Sequence, residues 1–347
     1  MPTARPRLLL LWLLASLTLA AQPITVATYN IYFLDDGISA ERKANLETVL
    51  AGLDADVIAF QEINNPAALK NILSDDYAVV MLDDPEEVHD LALAVRQPLA
   101  VHSARLLFTD PAHDYEFPRS RDILEVRVMA HGRELVFLVH HAKSRSGGRM
   151  QTDERREGAS VKLVQYIREK LAGESVILLG DFNDNPDDRS LNILETGDPQ
   201  ALGGIDDGPD AFLHNVTEPL AARDIVSYGY GYLFDSLATD TFPRVVAGAR
   251  AENLKWMGKP HDYRTDVVIK AVLLDQILVS ADLAPLVRAV DVYNGTAAIF
   301  GDRSRIRFTD NGLVYTFRGT QASDHVPVWV RLELPPREAA QPDPVQN

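Results

Sequence analysis

The chain has no cysteine among its 347 residues. This excludes disulfides, thiolate nucleophiles, zinc–thiolate sites, iron–sulfur clusters and lipid attachment through cysteine, leaving oxygen and imidazole as the ligand chemistry. Positive charge is also scarce, since 34 Lys and Arg stand against 50 Asp and Glu, a formal balance of −16. Such a chain gains nothing from general adhesion to nucleic acid or anionic lipid, so any phosphate contact has to be local. One long apolar run stands at the N-terminus, where Arg5 and Arg7 precede residues 8–21, broken only by Ser16 and Thr18. It falls short of the ~20 residues a spanning helix needs. It also closes on Ala20 and Ala21, small residues that suit a signal peptidase. Residues 1–21 therefore read as a cleaved leader, and the mature chain as secreted or periplasmic with no stable membrane span. Loss of the two leader arginines takes the balance from −16 to −18.

What is present is an ordinary globular composition, 46% hydrophobic and 24% charged. Residues 24–31 read as a buried strand carrying one awkward polar residue, Asn30. Residues 41–53 place Leu46, Val49, Leu50 and Leu53 at helical spacing. Further strands are expected at 57–60, 78–82, 91–95, 123–128, 135–139, 176–179, 273–279 and 326–332, with a second helix over 153–171. Residues 200–262, rich in Gly, Pro and acids, read as a long, partly ordered connection. No fixed-period repeat or polar linker divides the chain, which predicts one domain over 22–334 and a disordered Pro-rich tail over 335–347.

Several of these strands end on polar residues: VIAFQE at Glu62, LVFLVHH at His140 and His141, VILLGDFND at Asp181 and Asn183. Asp324 and His325 stand just before the strand VPVWVRL, so an antiparallel placement of that strand would bring them to the same sheet edge. Taken singly, each is an ordinary loop-facing polar residue. Taken together, Glu62, Asp181 and Asp324 would repel unless a cation sat among them, and an all-oxygen donor set with the Asn183 amide suits Mg²⁺, with Mn²⁺ or Ca²⁺ as substitutes. Imidazoles beside such an ion supply proton transfer near neutrality, which phosphoester hydrolysis requires. Asp275 in LLDQILVS is the candidate partner of His325, and Asp90 a weaker one for His141. Lys143, Arg145, Arg149, Arg155 and Arg156 form either a local dock for a polyanion or an ordinary solvated loop and helix start. Tyr228, Tyr230, Tyr232 and Trp256 either stack bases or, by the commoner use of such residues, pack the interior.

The ordered set TYNIYF, FQEI, HHAKS, GDFNDNP, LDQILVS and SDHVPVWV resembles the endonuclease/exonuclease/phosphatase superfamily, the deoxyribonuclease I-like fold, and within it the exported bacterial members. The resemblance implies a four-layer α/β sandwich, two mainly antiparallel mixed sheets flanked by helices. It implies that Glu62 is the principal metal ligand, with Asp324 completing the shell and Asn30, Asp181 and Asn183 holding metal, phosphate or the attacking water. It further implies that Asp275 holds His325 and that His141 contacts phosphate or protonates the leaving oxygen. His140 is the off-by-one alternative to His141. Arg121 best matches a phosphate-facing arginine, with Arg119 as its fallback, and Lys143 is placed with the phosphate. The expected activity is metal-dependent phosphodiester hydrolysis by a monomer, with nucleic acid as substrate. A phosphatase or sphingomyelinase-like lipid phosphodiesterase is the alternative, small-molecule phosphoesters included, and an inactive binding protein the lesser one.

Overall fold

The structure, a computed structural model, describes residues 21–82, 89–118, 121–145, 149–204, 210–223, 225, 227–228, 273–293, 306–309, 312–315 and 322–335. The leader up to Ala20, Arg119, the Arg149 side chain, Tyr230, Tyr232, Trp256, much of 200–262 and the tail beyond Pro335 lie outside these residues.

Two βαβ units form the frame. In the first, strand β1 (Gln22–Leu34) leads through helix α1 (Ala40–Leu53) into β2 (Val57–Ile63), which pairs parallel with β1. In the second, β7 (Arg133–His141) leads through α3 (Arg149–Lys170) into β8 (Val176–Asp181), again parallel. A parallel pair needs such a crossover, and it leaves both C-terminal strand ends on one edge. Between the units run the short helix α2 (Pro66–Lys70) and strands β3 (Tyr77–Met81), β4 (Asp90–Arg96), β5 (Ala100–Leu107) and β6 (Ile123–Ala130). After them come α4 (Arg189–Thr196), β9 (Leu213–Asn215), α5 (Glu218–Ala222), β10 (Asp275–Ser280), β11 (Val287–Val292), a small separate hairpin of β12 (Ile306–Thr309) and β13 (Gly312–Tyr315), and β14 (Val328–Leu334).

Antiparallel strands flank each parallel pair, giving two six-stranded mixed sheets in the orders β11-β14-β1-β2-β4-β3 and β5-β6-β7-β8-β10-β9. Alternation along β7 shows how they pack. Leu135, Phe137 and Val139 join the core between the sheets, whereas Val136 and Leu138 join a second cluster with Leu163, Val164, Ile167 and Leu171 of α3 and Leu191 and Leu194 of α4. Leu46, Val49, Leu50 and Leu53 of α1 pack on the first sheet. The layers are therefore helix, sheet, sheet, helix, as the resemblance implies. Among the described residues no helix is long and apolar enough to cross a membrane.

The strands expected from apolar runs are all present, most of them a residue or more longer. The edge strands β5, β9 and β11 are additional, and so are the β12–β13 hairpin and the helices α2, α4 and α5. β5 reads AVHSARLL with polar residues facing out, which is how an edge strand avoids pairing with a second chain and also why it carries no apolar run.

Candidate active site

All the chemistry-bearing strand ends meet on one edge. Asn30 and Glu62 come from the C-terminal ends of β1 and β2, and His141 and Asp181 from those of β7 and β8. β10 runs antiparallel to β8 with Asp275 opposite Asp181, and β14 runs antiparallel to β1, so Asp275 and the Asp324–His325 pair enter from the other direction. The antiparallel placement on which the meeting of these groups depended is the one the sheets show.

Irregular backbone aims these groups. The β1–β2 register shifts between Asn30 and Leu34, the β2–β4 register shifts between Phe60 and Ile63, and Tyr32, Phe33 and Glu62 hold φ of 56°, 49° and 64°. Such positions are strained for residues with a side chain, and bulges of this kind redirect side chains at strand ends. Asn183 has φ 53°, its backbone N–H donating to Asp181 Oδ1 at 2.8 Å. Gly180, at φ 149°, lies so close to β7 that a Cβ would stand 1.8 Å from the His140 carbonyl oxygen. Gly180→Ala is therefore expected to destabilise by about 3 kcal/mol or more, combining overpacking with backbone strain. Chemical denaturation checks this, a midpoint matching wild type being the contrary result.

Asp181 is the hub. Its Oδ2 accepts from Asn30 Nδ2 at 3.0 Å and lies 3.6 Å from His141 Nε2 and 3.9 Å from His325 Nε2. Asn30 Nδ2 also donates to Glu62 Oε1 at 3.1 Å, and His141 Nε2 is 3.8 Å from the same oxygen. His325 Nδ1 pairs with Asp275 Oδ2 at 2.7 Å. Ser323 Oγ donates to the Asn30 carbonyl at 2.7 Å and receives the His325 backbone N–H at 3.1 Å, tying the end of β1 to the segment that leads into β14. Strand alternation turns His141 inward to the acids and His140 outward, its ring 5.2 Å from Phe182 and 6.1 Å from Phe117. Arg121 donates to the Ala142 carbonyl and feels the charges of Glu62 and Asp181.

Burial sets the titration of this cluster, and opposite or like charges then adjust it. Desolvation raises Glu62, takes Asp181 up to about 6 and Asp324 up to about 7, with His325 opposing each rise. Burial would lower His325, but Asp275, then Asp181 and Asp324, outweigh it and raise the imidazole to about 10. His140 falls to about 3 and His141 well below the usual histidine range, both through burial and the Arg121 charge. Lys143 falls to about 8 through burial and the neighbouring arginines.

Three expectations need correction. The shell of Glu62, Asp324, Asn30, Asp181 and Asn183 is not a preformed cage, since no three His, Asp or Glu among the described residues are placed to hold an ion together. The Asn30 amide lies between Glu62 and Asp181, and the Asn183 amide donates to the Ala142 carbonyl. Asp90 does not hold His141, whose Nδ1 has no hydrogen-bond partner. The basic loop is mostly not a surface. Arg145 is buried on the Asn183 carbonyl, Asp184 and Asp188, and Arg156 is buried on the Lys143 carbonyl and Asp184. Arg155 donates to the carbonyls of Asp114 and Tyr115. Tyr228 packs, as expected, its ring 4.7 Å from that of His325.

A divalent cation still fits the edge. Glu62 Oε2 is buried with no hydrogen-bond donor, beside two further carboxylates raised by desolvation, which is a local deficit of positive charge. Mg²⁺ takes one or two carboxylates and keeps waters rather than requiring an all-protein cage.

Arg42 and His89, in the site region, were not read from sequence. Arg42 of α1 is buried and donates to the carbonyls of Ile31, Tyr32 and Ala322, clamping the β1 bulge to the segment before His325. A signal existed, because Arg42 falls on the same helical stripe as Leu46, Val49 and Leu53. His89, whose ring stands 6.3 Å from that of His141 and 4.5 Å from that of Phe33, had none.

The chain belongs to the Endonuclease/Exonuclease/phosphatase family, whose model matches residues 27–325. Members of this family hydrolyse phosphoester bonds and generally depend on a divalent metal. Similar solved structures include a family protein from Bacteroides thetaiotaomicron (18% identity, 90% of this chain and 98% of that one, TM-score 0.56). Another is D. rerio TDP2 complexed with a single-strand DNA product (18% identity, 89% and 98% coverage, TM-score 0.55). The human Nocturnin catalytic domain with bound sulfate is a third (15% identity, 89% and 93% coverage, TM-score 0.50). At these identities the likeness is one of fold. No curated protein matches the chain.

Proposed function

We propose that the chain is an exported, Mg²⁺-dependent phosphodiesterase that cleaves nucleic acid by in-line attack of water. The observation that carries this reading is the convergence on Asp181 of Asn30, His141 and the Asp275-backed His325, next to a Glu62 oxygen that lacks a donor. Export rests on the basic and then apolar leader of residues 1–21.

When bound, the cation would lie at Glu62, with Asn30 and Asp324 nearby, and would neutralise charge on the phosphoryl oxygens. Asp181, raised to about 6, is ionised at neutral pH and takes a proton from the attacking water. His325, protonated up to about pH 10, directs Nε2–H at the phosphoryl oxygens as charge builds there, and Asp275 fixes that ring. His141, neutral and beside Glu62 and Asp181, donates a hydrogen bond to phosphate, and Arg121 and Lys143 add charge at the edge. Water oxygen bonds to phosphorus, the bond to the leaving oxygen breaks, and that oxygen takes a proton from solvent.

Because Arg145 and Arg156 are committed to Asp184, the cationic groups left to meet phosphate among the described residues of the site are Arg121, Lys143 and His325. Binding of a short DNA strand should accordingly fall with salt at a log–log slope of about −2 to −3, not the steeper slope of a broad basic surface. The test is product analysis on a defined oligonucleotide with and without Mg²⁺, beside sphingomyelin vesicles, inositol phosphates and a nitrophenyl diester. Metal-dependent cleavage of lipid or monoester with an intact oligonucleotide would replace nucleic acid as the substrate. Inertness towards every substrate would favour a binding protein.

A further inference from the structure

The 2.7 Å bond between Asp275 and His325 joins groups that no strand ladder holds together. Asp275 opens β10 in the second sheet, and His325 precedes β14 in the first. Its geometry depends on something setting those two chain segments against each other. Ser227, from the stretch that sequence reading left unassigned, sits between them and is fully buried. Its Oγ accepts the backbone N–H of Leu274 at 3.0 Å and of Asp275 at 3.1 Å, which engages both lone pairs of the hydroxyl. Its carbonyl accepts the N–H of Val326 at 2.8 Å. The next residue, Tyr228, forms an isolated antiparallel bridge with His325 and lays its ring 4.7 Å from the imidazole. On the far side the Leu274 carbonyl accepts the Phe182 N–H at 2.8 Å, extending the same tie to the residue after Asp181.

We infer that Ser227 is a positioning residue for the hydrolysis: its side chain fixes the backbone of Asp275 and its carbonyl fixes the backbone beside His325, so both halves of the pair hang from one residue. The inference rests on the reading of Asp275 and His325 given above. It assigns a function to a serine that touches neither substrate nor metal. Its hydroxyl matters because an aliphatic side chain of the same size would leave two buried N–H groups unmet at the point where β10 begins. A displacement of about 1 Å in a reacting group lowers turnover by about 10²-fold, so a small shift here has a large readout.

The test is steady-state hydrolysis, with Mg²⁺, of the substrate found above. Ser227→Ala should lower kcat by about 10- to 100-fold with KM within about twofold, and Ser227→Thr, which keeps the acceptor, should restore most of it. Leu163→Ala, a truncation in the apolar cluster under α3 and away from the seam between the sheets, should lower Tm while keeping kcat near wild type, which separates positioning from general loosening. In an Asp275→Asn background Ser227→Ala should add less than about twofold, since residues acting as one unit are not additive. Should Ser227→Ala fail to fold, Ser227→Thr against the isosteric Ser227→Val reads the same hydroxyl. Wild-type kcat in the hydroxyl-free variants, or full additivity with Asp275→Asn, overturns the assignment. Activity surviving in His325→Ala instead overturns the reading of the site on which the inference depends.

Discussion

His325→Ala is expected to lower kcat by about 10²- to 10⁴-fold while leaving KM within a few-fold, because the imidazolium acts on charge that builds only as phosphorus is attacked. The substitution also strands Asp275 as a buried carboxylate, and breaking a buried pair destabilises by about 3–5 kcal/mol. Kinetics should therefore be read well below the melting temperature of the variant, with Asp275→Asn as its partner. That change keeps the packing and removes the charge that fixes the ring. The pH profile follows from the directions of shift. Asp181, raised to about 6, has to lose its proton to serve as base, so activity should rise through that region. His325, raised to about 10 by Asp275 against the effect of burial, has to keep its proton, so activity should fall only as pH approaches 10. In Asp275→Asn the alkaline limb should move to lower pH. Near-normal turnover in His325→Ala would remove this imidazole from the reacting set.

Glu62→Gln should abolish most of the response to Mg²⁺ in a thermal melt with little change in the melt without metal. Glutamine keeps the shape of Glu62 and can still meet Asn30, but lacks the charge a hard cation requires. The wild-type response should itself depend on pH. Glu62, Asp181 and Asp324 all bind protons more tightly in the folded chain than in the unfolded one. The contribution of these three carboxyls to stability therefore falls as pH rises from about 4 to 7, against the opposite contribution of His140 and His141, which burial keeps neutral in the folded chain. The His325 contribution has the same sign, present in full below its unfolded value and lost as pH rises towards 10. A cation has to displace those protons, so its affinity, and with it the Tm gain, should grow from pH 5.5 to 8. At about 100-fold excess over Kd the gain corresponds to about 2.7 kcal/mol, or several degrees for a chain of this size. An Mg²⁺ response in Glu62→Gln equal to wild type would take Glu62 off the metal.

Much of this arrangement was legible because central strands of two-sided sheets are apolar nearly throughout, which makes a polar residue at their ends conspicuous. Glu62, His141 and Asp181 stood out for that reason, whereas the entry of His325 hung on an antiparallel placement that the sequence left conditional. What escaped reading depends on distance in space. That Arg145 and Arg156 are bound by Asp184 and Asp188 depends on a loop folding back on a helix, and a run of cations in sequence looks the same whether or not it is neutralised. Ser227 had no pattern at all, since its value lies in two backbone groups 47 and 48 residues downstream. Arg42 could have been seen as a charge on an apolar helical stripe, although the carbonyls it meets, two in the β1 bulge and one before His325, are not announced by sequence.

Asn30 and Glu62 belong to one sheet, His141 and Asp181 to the other, and the Asn30–Asp181 hydrogen bond and the approach of His141 to Glu62 cross the seam between the layers. Hydrolytic competence would thus gauge the alignment of two slabs whose grip on each other below this edge is mainly apolar. A slide of the slabs that broke no ladder within either would still scatter the reacting groups. Residues deep in that seam, far from any phosphate, thereby share in setting the rate.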